Sequence, residues 1–381
     1  MMRIIPFMNP PTRSLINPQY HGCLVHQPLQ TNPWVMLQPL GLADLCDAIV
    51  VQPIAPHSTL FTLRTEVANA WMPEYDTLNL CHTHQPPPDL LREIVVSMLI
   101  APIALEFPSA EEFISAVRIR ANTVHAARKT GLDFDTTAIE RPMDCWVYRP
   151  SVGFAIRSGC SLIEGLRKAT QPDASGKRFS FSCYRASEYV ILLGIAQELE
   201  HCNPTLYTAL EKLWEANPIQ SGRFHDVFLH EQGSMEQPLP LHYFVPGDRT
   251  WFRNPDAASA EASGFEGSWV VYLGGGLFSN FWKPEAPFTL EDKCLEIYHW
   301  RDGLYLDAEG EERINEIQVA ECVAATRKNP SEMQRIMTLM ARYREGRGIY
   351  TEAGGCIDTT REFARWVRPH TSDMRLPTQP L

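Results

Sequence analysis

The sequence predicts an α+β fold in which helices come first and an antiparallel sheet follows. Three observations carry this. Capped, amphipathic segments dominate from Asp89 to Trp214. Short apolar runs separated by Gly, Pro and Asn turns dominate from Phe224 to Trp282. Between them lies Arg178–Leu199, where a polar, Gly-containing approach leads through Phe179-Ser180-Phe181-Ser182 to Cys183 and then a strongly apolar helix. Segregated helices and strands of this kind build an α+β arrangement rather than alternating βαβ units.

Composition sets outer bounds. The chain has 381 residues, 44% hydrophobic and 21% charged, enough to bury a sizeable core. A net charge of −11 argues against a partner reached through a nucleic-acid phosphate backbone. Arg118, Arg120, Arg128 and Lys129 form the densest basic stretch and read as one solvated helix face. The ten cysteines show no CxxC spacing, so free thiols in a reducing cytoplasm are expected. Met1–Met8 is broken by Pro6 and does not read as a signal peptide. Ile94–Leu105, the longest apolar run, contains Pro102 and is too short to span a bilayer, so no membrane partner is expected.

In chain order, residues 1–40 carry seven prolines and read as an extended arm. Leu40–Val51 and Ser58–Trp71 carry enough apolar patterning for secondary structure. His21, Cys23 and His26, and again Cys81, His82 and His84, have metal-ligand chemistry, but no second pair follows at a diagnostic spacing. They read as loop residues. Gln85-Pro86-Pro87-Pro88 marks a boundary, giving an N-terminal extension over 1–87, a domain over 88–345 and a peripheral tail over 346–381. Asp89 caps a helix through Met98. Ser109-Ala110-Glu111-Glu112 is a capping box for a helix that buries Phe113, Val117, Ala121 and Val124 and ends near Gly131. Cys145–Tyr148 predicts a strand, and Ser161–Ala169 and Pro204–Trp214 predict helices. Strands are expected over Phe224–His230, Leu241–Val245, Trp251–Arg253, Ser268–Leu273 and Leu277–Trp282. Gly274-Gly275-Gly276 stands between two of these, so it is a hairpin turn and not a phosphate loop. Helices return over Thr289–His299, Glu311–Lys328 and Ser331–Arg344.

Cys183 is the candidate nucleophile. Ser180 and Ser182 are natural N-caps, which puts the sulfur in the first turn. Unpaired N–H groups and the positive helix end there favour a thiolate and can hold an oxyanion. Plain packing of a small apolar residue is the competing reading. A Cys on a helix followed by strands is also the order of papain-like thiol acyl-transfer enzymes.

From about Pro88 to Met337 the chain resembles the compact bacterial, spore-coat-type protein-glutamine γ-glutamyltransferases (transglutaminases). The likeness runs through Phe107–Phe113, Trp146–Pro150, Phe179–Leu199, Gly247–Asp256 and Gly267–Leu273. The resemblance implies a transglutaminase-like core and attack on a glutamine side-chain amide. A thioester would form on Cys183 and be resolved by a lysine amine or by water, with no cofactor and no metal. It implies a protein substrate bearing glutamine, and lysine where cross-linking follows. The chain departs from the family at three partner positions. The family's Glu before the Cys falls at Ser182, its strand Glu at Ser268 and its His at Asn280. Glu266 lies two residues before Ser268 and so on the same strand face, where a bulge would bring it to the sulfur. Glu266 and Asn280 are therefore the expected support for Cys183, with His230 and His242 as alternative bases. A pseudoenzyme that binds protein through its cleft and residues 1–87 is the rival from another class, and a deamidase or toxin domain is a third reading.

Overall fold

The computed structural model describes residues 20–26, 32–83, 85, 87–134, 140–150, 153–219, 221–345 and 354–377. The expected arm is thus described only in parts, and His84 lies outside the described residues.

Two sheets flank a helical centre. The first joins β1 (Cys23–Val25), β2 (Ile49–Ala55), β3 (Ser58–Leu63) and β4 (Leu105–Phe107) in the order β2-β3-β1-β4. β1 pairs in parallel with β4, Cys23 opposite Leu105. This corrects the boundary at residue 87. The sheet is built from both sides of it, because β1 and β3 carry apolar residues that bury against the helix after Asp89. The 1–87 segment therefore supplies three strands of a shared core.

That helix, α1 (Leu90–Leu99), is capped as expected, with Asp89 accepting from the Arg92 N–H at 2.9 Å. The next, α2 (Ala110–Lys129), is capped by Ser109. Its capping box is only half formed. The Glu112 carboxylate instead accepts from the N–H groups of Val367 and Arg368, at 3.0 and 2.7 Å, and from the Thr371 hydroxyl. Helix α2 is also buried on two faces. Phe113, Val117 and Ala121 pack on the first sheet, while Ile119 and Val124 pack on the Cys183 helix. Its basic residues are accordingly not all solvated, since Arg120 is buried and pairs with Asp248 at 2.6 Å.

β5 (Trp146–Arg149) pairs with β6 (Gly153–Ile156). They precede α3 (Leu162–Thr170), α4 (Cys183–Cys202) and α5 (Pro204–Ala216). A Cβ at Gly194 would collide with Thr123, so glycine lets α4 lie directly on α2. Phe224 and Phe228, four residues apart, both enter the core from α6 (Ser221–Phe228). The run expected as a strand is thus a helix followed by β7 (Leu229–Gln232). Leu241–Val245 is not a strand either. Its aromatic residues are buried, but its backbone is satisfied by side chains: Thr77 Oγ1 donates to the Phe244 carbonyl and the Val245 N–H donates to Asp248.

The second sheet is antiparallel throughout. It runs β10 (Leu277–Phe278), β9 (Gly267–Gly274), β8 (Arg249–Arg253), β13 (Arg361–Ala364), β7. Gly274, Gly275 and Gly276 all take positive φ in the hairpin that joins β9 to β10. The place of β13 corrects the expectation of a peripheral tail. This strand lies inside the sheet, and Cys356, Ile357 and Arg361 are fully buried.

Helices α7 (Leu290–Gly303), α8 (Glu316–Arg327) and α9 (Pro330–Met340) close the fold. The hairpin of β11 (Leu304–Leu306) and β12 (Glu312–Ile314) takes up the start of the segment expected to be helical from Glu311. Asn315 then caps α8. The expectation of free thiols fails at Cys145 and Cys160, which form a disulfide, and this removes the support for a reducing cytoplasm. No helix among the described residues is long and apolar enough to cross a membrane.

Candidate active site

Helix α4 begins where the sequence places it. Ser182 is the N-cap and its hydroxyl accepts from the Arg185 N–H at 3.3 Å. From Ala186 to Leu199 the helix is buried almost throughout, so its first turn is fixed by the core behind it. Cys183 is half-buried on the wall of a cavity of about 790 Å³. The opposite walls come from the β9–β10 region and from one face each of α7 and α8.

The backbone N–H groups of Trp269, on β9, and of Tyr184, the next residue of α4, are directed at the sulfur. Lys293 and Arg249 supply nearby positive charge, Lys293 the more strongly. Burial nevertheless outweighs all of these and raises the thiol above its ordinary range. Burial thus opposes the thiolate that the helix start was expected to favour. A helix end stabilises an anion by roughly 0.3–1 kcal/mol when solvated, less than apolar walls cost it. The residue is half-buried at the cavity wall, and burial works against ionisation of its sulfur.

The other expected residues separate. Ser268 and Asn280 do line the cavity with Cys183. The Asn280 side chain is committed to its own loop. Its Nδ2 donates to the Ala286 carbonyl at 2.9 Å, and its Oδ1 accepts from the N–H groups of Trp282 and Lys283. Glu266 is exposed and lies outside the cavity wall, although its backbone carbonyl accepts from the Asn254 N–H. No bulge brings it inward, because β8 and β9 pair without interruption from Gly267 to Val271. Of the two expected partners of Cys183, Asn280 thus lines its cavity and Glu266 does not.

His230 sits on β7, the sheet edge farthest from β9, and bonds Asp373 at 2.7 Å. His242 faces Asp76 at 3.6 Å, and that carboxylate raises its pKa. Neither lines the cavity that Cys183 lines.

Sequence reasoning missed Lys293. On α7 it is buried, its Nζ pairs with Glu296 at 2.7 Å, and it lies 3.7 Å from the centroid of the Phe288 ring. Asp292, Lys293, Glu296 and Trp300 form one helical face of the cavity. The signal present in the sequence was that spacing, masked by an acidic first turn that reads as solvated.

The early His and Cys clusters make ordinary contacts. Cys23 is buried in β1 and donates to the Met98 carbonyl, His26 bonds Ser58 and Glu106, and His21 stacks on Tyr75. Cys81 contacts Glu93. Among the described residues, His299, Asp302 and Cys322 lie close enough to share an ion. Both ring nitrogens of His299 are already taken, by Asp302 at 2.6 Å and Thr326 at 2.8 Å, which ties α7 to α8. Cys145, Cys160 and Glu164 form a second such group, whose two sulfurs are bonded to each other.

Residues 73–347 match the sequence model of the protein-glutamine gamma-glutamyltransferases. The chain belongs to this family. It is similar to the solved structure of a transglutaminase from Geobacillus stearothermophilus without its C-terminal extension. Identity is 17%, the TM-score is 0.38, and the match covers 56% of this chain and 98% of that one. A search of curated proteins returns no match. Within this transglutaminase-family chain, Cys183, Ser268 and Asn280 line one cavity, and Ser182 caps the helix that begins at Cys183.

Proposed function

We propose that this chain transfers the acyl group of protein glutamine side chains through a thioester on Cys183. The observation that supports this is the position of the sulfur, in the first turn of a buried helix and at a cavity wall, with two backbone N–H groups directed at it. A glutamine amide entering the cavity meets a nucleophile and donors able to hold an oxyanion in one place. A lysine amine then gives an isopeptide cross-link, and water gives glutamate. The chemistry rests on the thiol and the thioester, and the partner is a protein that bears accessible glutamine.

The test is release of ammonia from a glutamine-rich protein together with incorporation of a fluorescent alkylamine, both followed in the wild type and in Cys183→Ala. Both signals are expected from the wild type and neither from the variant. Equal signals from the two proteins would sink the proposal.

A binding module is the second reading. It is favoured by the three replaced partner positions and by the raised thiol. It requires a stoichiometric complex with a glutamine-bearing protein that forms equally well with Cys183→Ala and yields no ammonia.

A further inference from the structure

We propose that Lys293, held by Glu296, is the proton carrier for Cys183, in place of the carboxylates and imidazole whose positions in the resemblance fall at Ser182, Ser268 and Asn280. The proposal rests on the acyl-transfer reading above and names how that site would work.

The geometry has three parts. Lys293 is almost fully buried and lines the same cavity as Cys183, on whose thiol its positive charge acts. Its Nζ is fixed from two sides, by the Glu296 carboxylate at 2.7 Å and the Phe288 ring at 3.7 Å. A buried lysine with one carboxylate partner is unusual, because the pairing only offsets its loss of hydration. Glu296 is itself only half-buried, so the pair lies at the boundary between core and cavity. Three donors sit on a lysine nitrogen, and carboxylate and ring occupy one flank of it. These two contacts do not use all three donors.

The proton balance closes without any added reagent. In the first half, the Sγ–C bond forms and the C–N bond of the glutamine amide breaks. Lys293 gives a proton to the departing nitrogen, which leaves as ammonia, and takes the thiol proton in its place. It therefore ends as it began. In the second half, the N–H or O–H proton of the incoming amine or water passes to Lys293 and from it to the departing sulfur. A neutral Asn280 side chain, already bonded within its loop, has no proton to pass.

Other charged groups share the space and set the background of any pH profile. Arg249, on β8 and over the Tyr184 and Trp269 rings, adds positive charge near Cys183. Asp133 and Arg178 stand on the side of the Cys183 approach. Lys283 comes from the loop after β10, Asp292 and Arg327 pair across α7 and α8, and Glu316 opens α8.

The experiment follows iodoacetamide labelling of Cys183 against pH, ammonia release and melting temperature in the full chain. Wild type is compared with Lys293→Met, Lys293→Arg and Glu296→Gln. Met keeps the bulk and apolar stem of lysine, so the fold is expected to survive. Lys293→Met should lower ammonia release by about 10²-fold or more and move the labelling midpoint up by about one pH unit. Lys293→Arg should restore the midpoint but not the rate, because an arginine does not exchange its proton in this range. Should Lys293→Met fail to fold, Glu296→Gln carries the test, with ammonia release expected to fall by about tenfold or more. Ammonia release in Lys293→Met within twofold of wild type would overturn the proposal and leave acyl transfer standing. Wild type that labels on Cys183 but releases no ammonia would overturn acyl transfer and this proposal together. An unchanged midpoint in a folded Lys293→Met would overturn it on the thiol alone.

Discussion

Two buried cation–carboxylate pairs act near the mouth of α4, and they differ in one respect. Arg249 and Glu362 pair at 2.8 Å between β8 and β13. Their remaining groups are enclosed as well, since Arg249 Nε donates to Ser187 Oγ at 2.9 Å and Glu362 also bonds His225 at 2.8 Å. The Arg249 guanidinium lies over the Trp269 ring, 3.9 Å from its centroid. Lys293 and Glu296 pair at nearly the same distance, but one side of that pair is the cavity wall. The first pair holds the strand that carries the Trp269 N–H against α4. The second is free to meet a substrate. Similar chemistry serves structure in one place and reaction in the other, and access to the cavity separates them.

The largest effect comes from removing what both pairs face. Cys183→Ser should abolish amine incorporation, by about 10³-fold or more, with the melting temperature nearly unchanged. A serine hydroxyl is a far weaker nucleophile than a thiolate, and Lys293 cannot make up that difference. Retained incorporation would place the nucleophile elsewhere.

Stability should then separate the two pairs. Glu362→Ala strands a fully buried guanidinium and is expected to cost about 3–5 kcal/mol in urea unfolding. Glu296→Gln removes a partner that is only half-buried and leaves an amide that can still bond the lysine, so it should cost less, about 1–3 kcal/mol. Equal losses would show that both pairs are framework and would remove the distinction.

The enclosed pair also predicts a pH window. Bonding to Glu362 raises the His225 pKa. The stability from that bond is full below the ordinary imidazole value near 6.5 and is lost as pH rises through the folded value. The Glu362 pKa is lowered by Arg249 and by His225, against the opposing effect of burial. Its contribution is full above the ordinary carboxylate value near 4.3 and is lost as pH falls through the folded value. Stability should therefore be greatest between about pH 4.3 and 6.5 for this network. Glu362→Gln should flatten both edges in urea titrations at several pH values.

The same contrast explains how much of the molecule was legible from sequence. The start of α4 was readable because a cap, a Cys and a helical apolar period are local features, and the core does not contradict them. The hairpin at Gly274–Gly276 was readable for the same reason. What failed was non-local. β13 takes a place inside the sheet from a Gly- and Pro-punctuated segment, because Glu362 finds Arg249 and His225 more than a hundred residues away. Leu241–Val245 looks like a strand because it is apolar, but its backbone partners are the side chains of Thr77 and Asp248. Likewise Lys293 reads as one more charged residue on an acid-capped helix. Only the packing of α7 and α8 shows that its face is turned inward.

Asn280 sits between the two kinds of role, at the cavity wall but occupied with its loop. Asn280→Ala removes three hydrogen bonds that hold Trp282, Lys283 and Ala286. A loss of about 1–2 kcal/mol is expected, with a fall in activity of less than tenfold. Activity lost entirely in a protein that keeps its wild-type stability would mean that the Asn280 amide touches the substrate.

The smallest effect is expected at Glu266, and it tests the separation from the other side. An exposed carboxylate just ahead of β9, off the cavity wall, has neither the access of Glu296 nor the enclosure of Glu362. Its structural contribution is the backbone carbonyl that Asn254 bonds, and a change of side chain leaves that in place. Glu266→Gln should therefore shift stability by less than about 0.5 kcal/mol and leave amine incorporation, ammonia release and the pH of half-maximal Cys183 labelling as in the wild type. A large loss of rate from this one substitution would mean that β9 slips by two residues when substrate binds. The proton carrier would then be the strand carboxylate rather than Lys293.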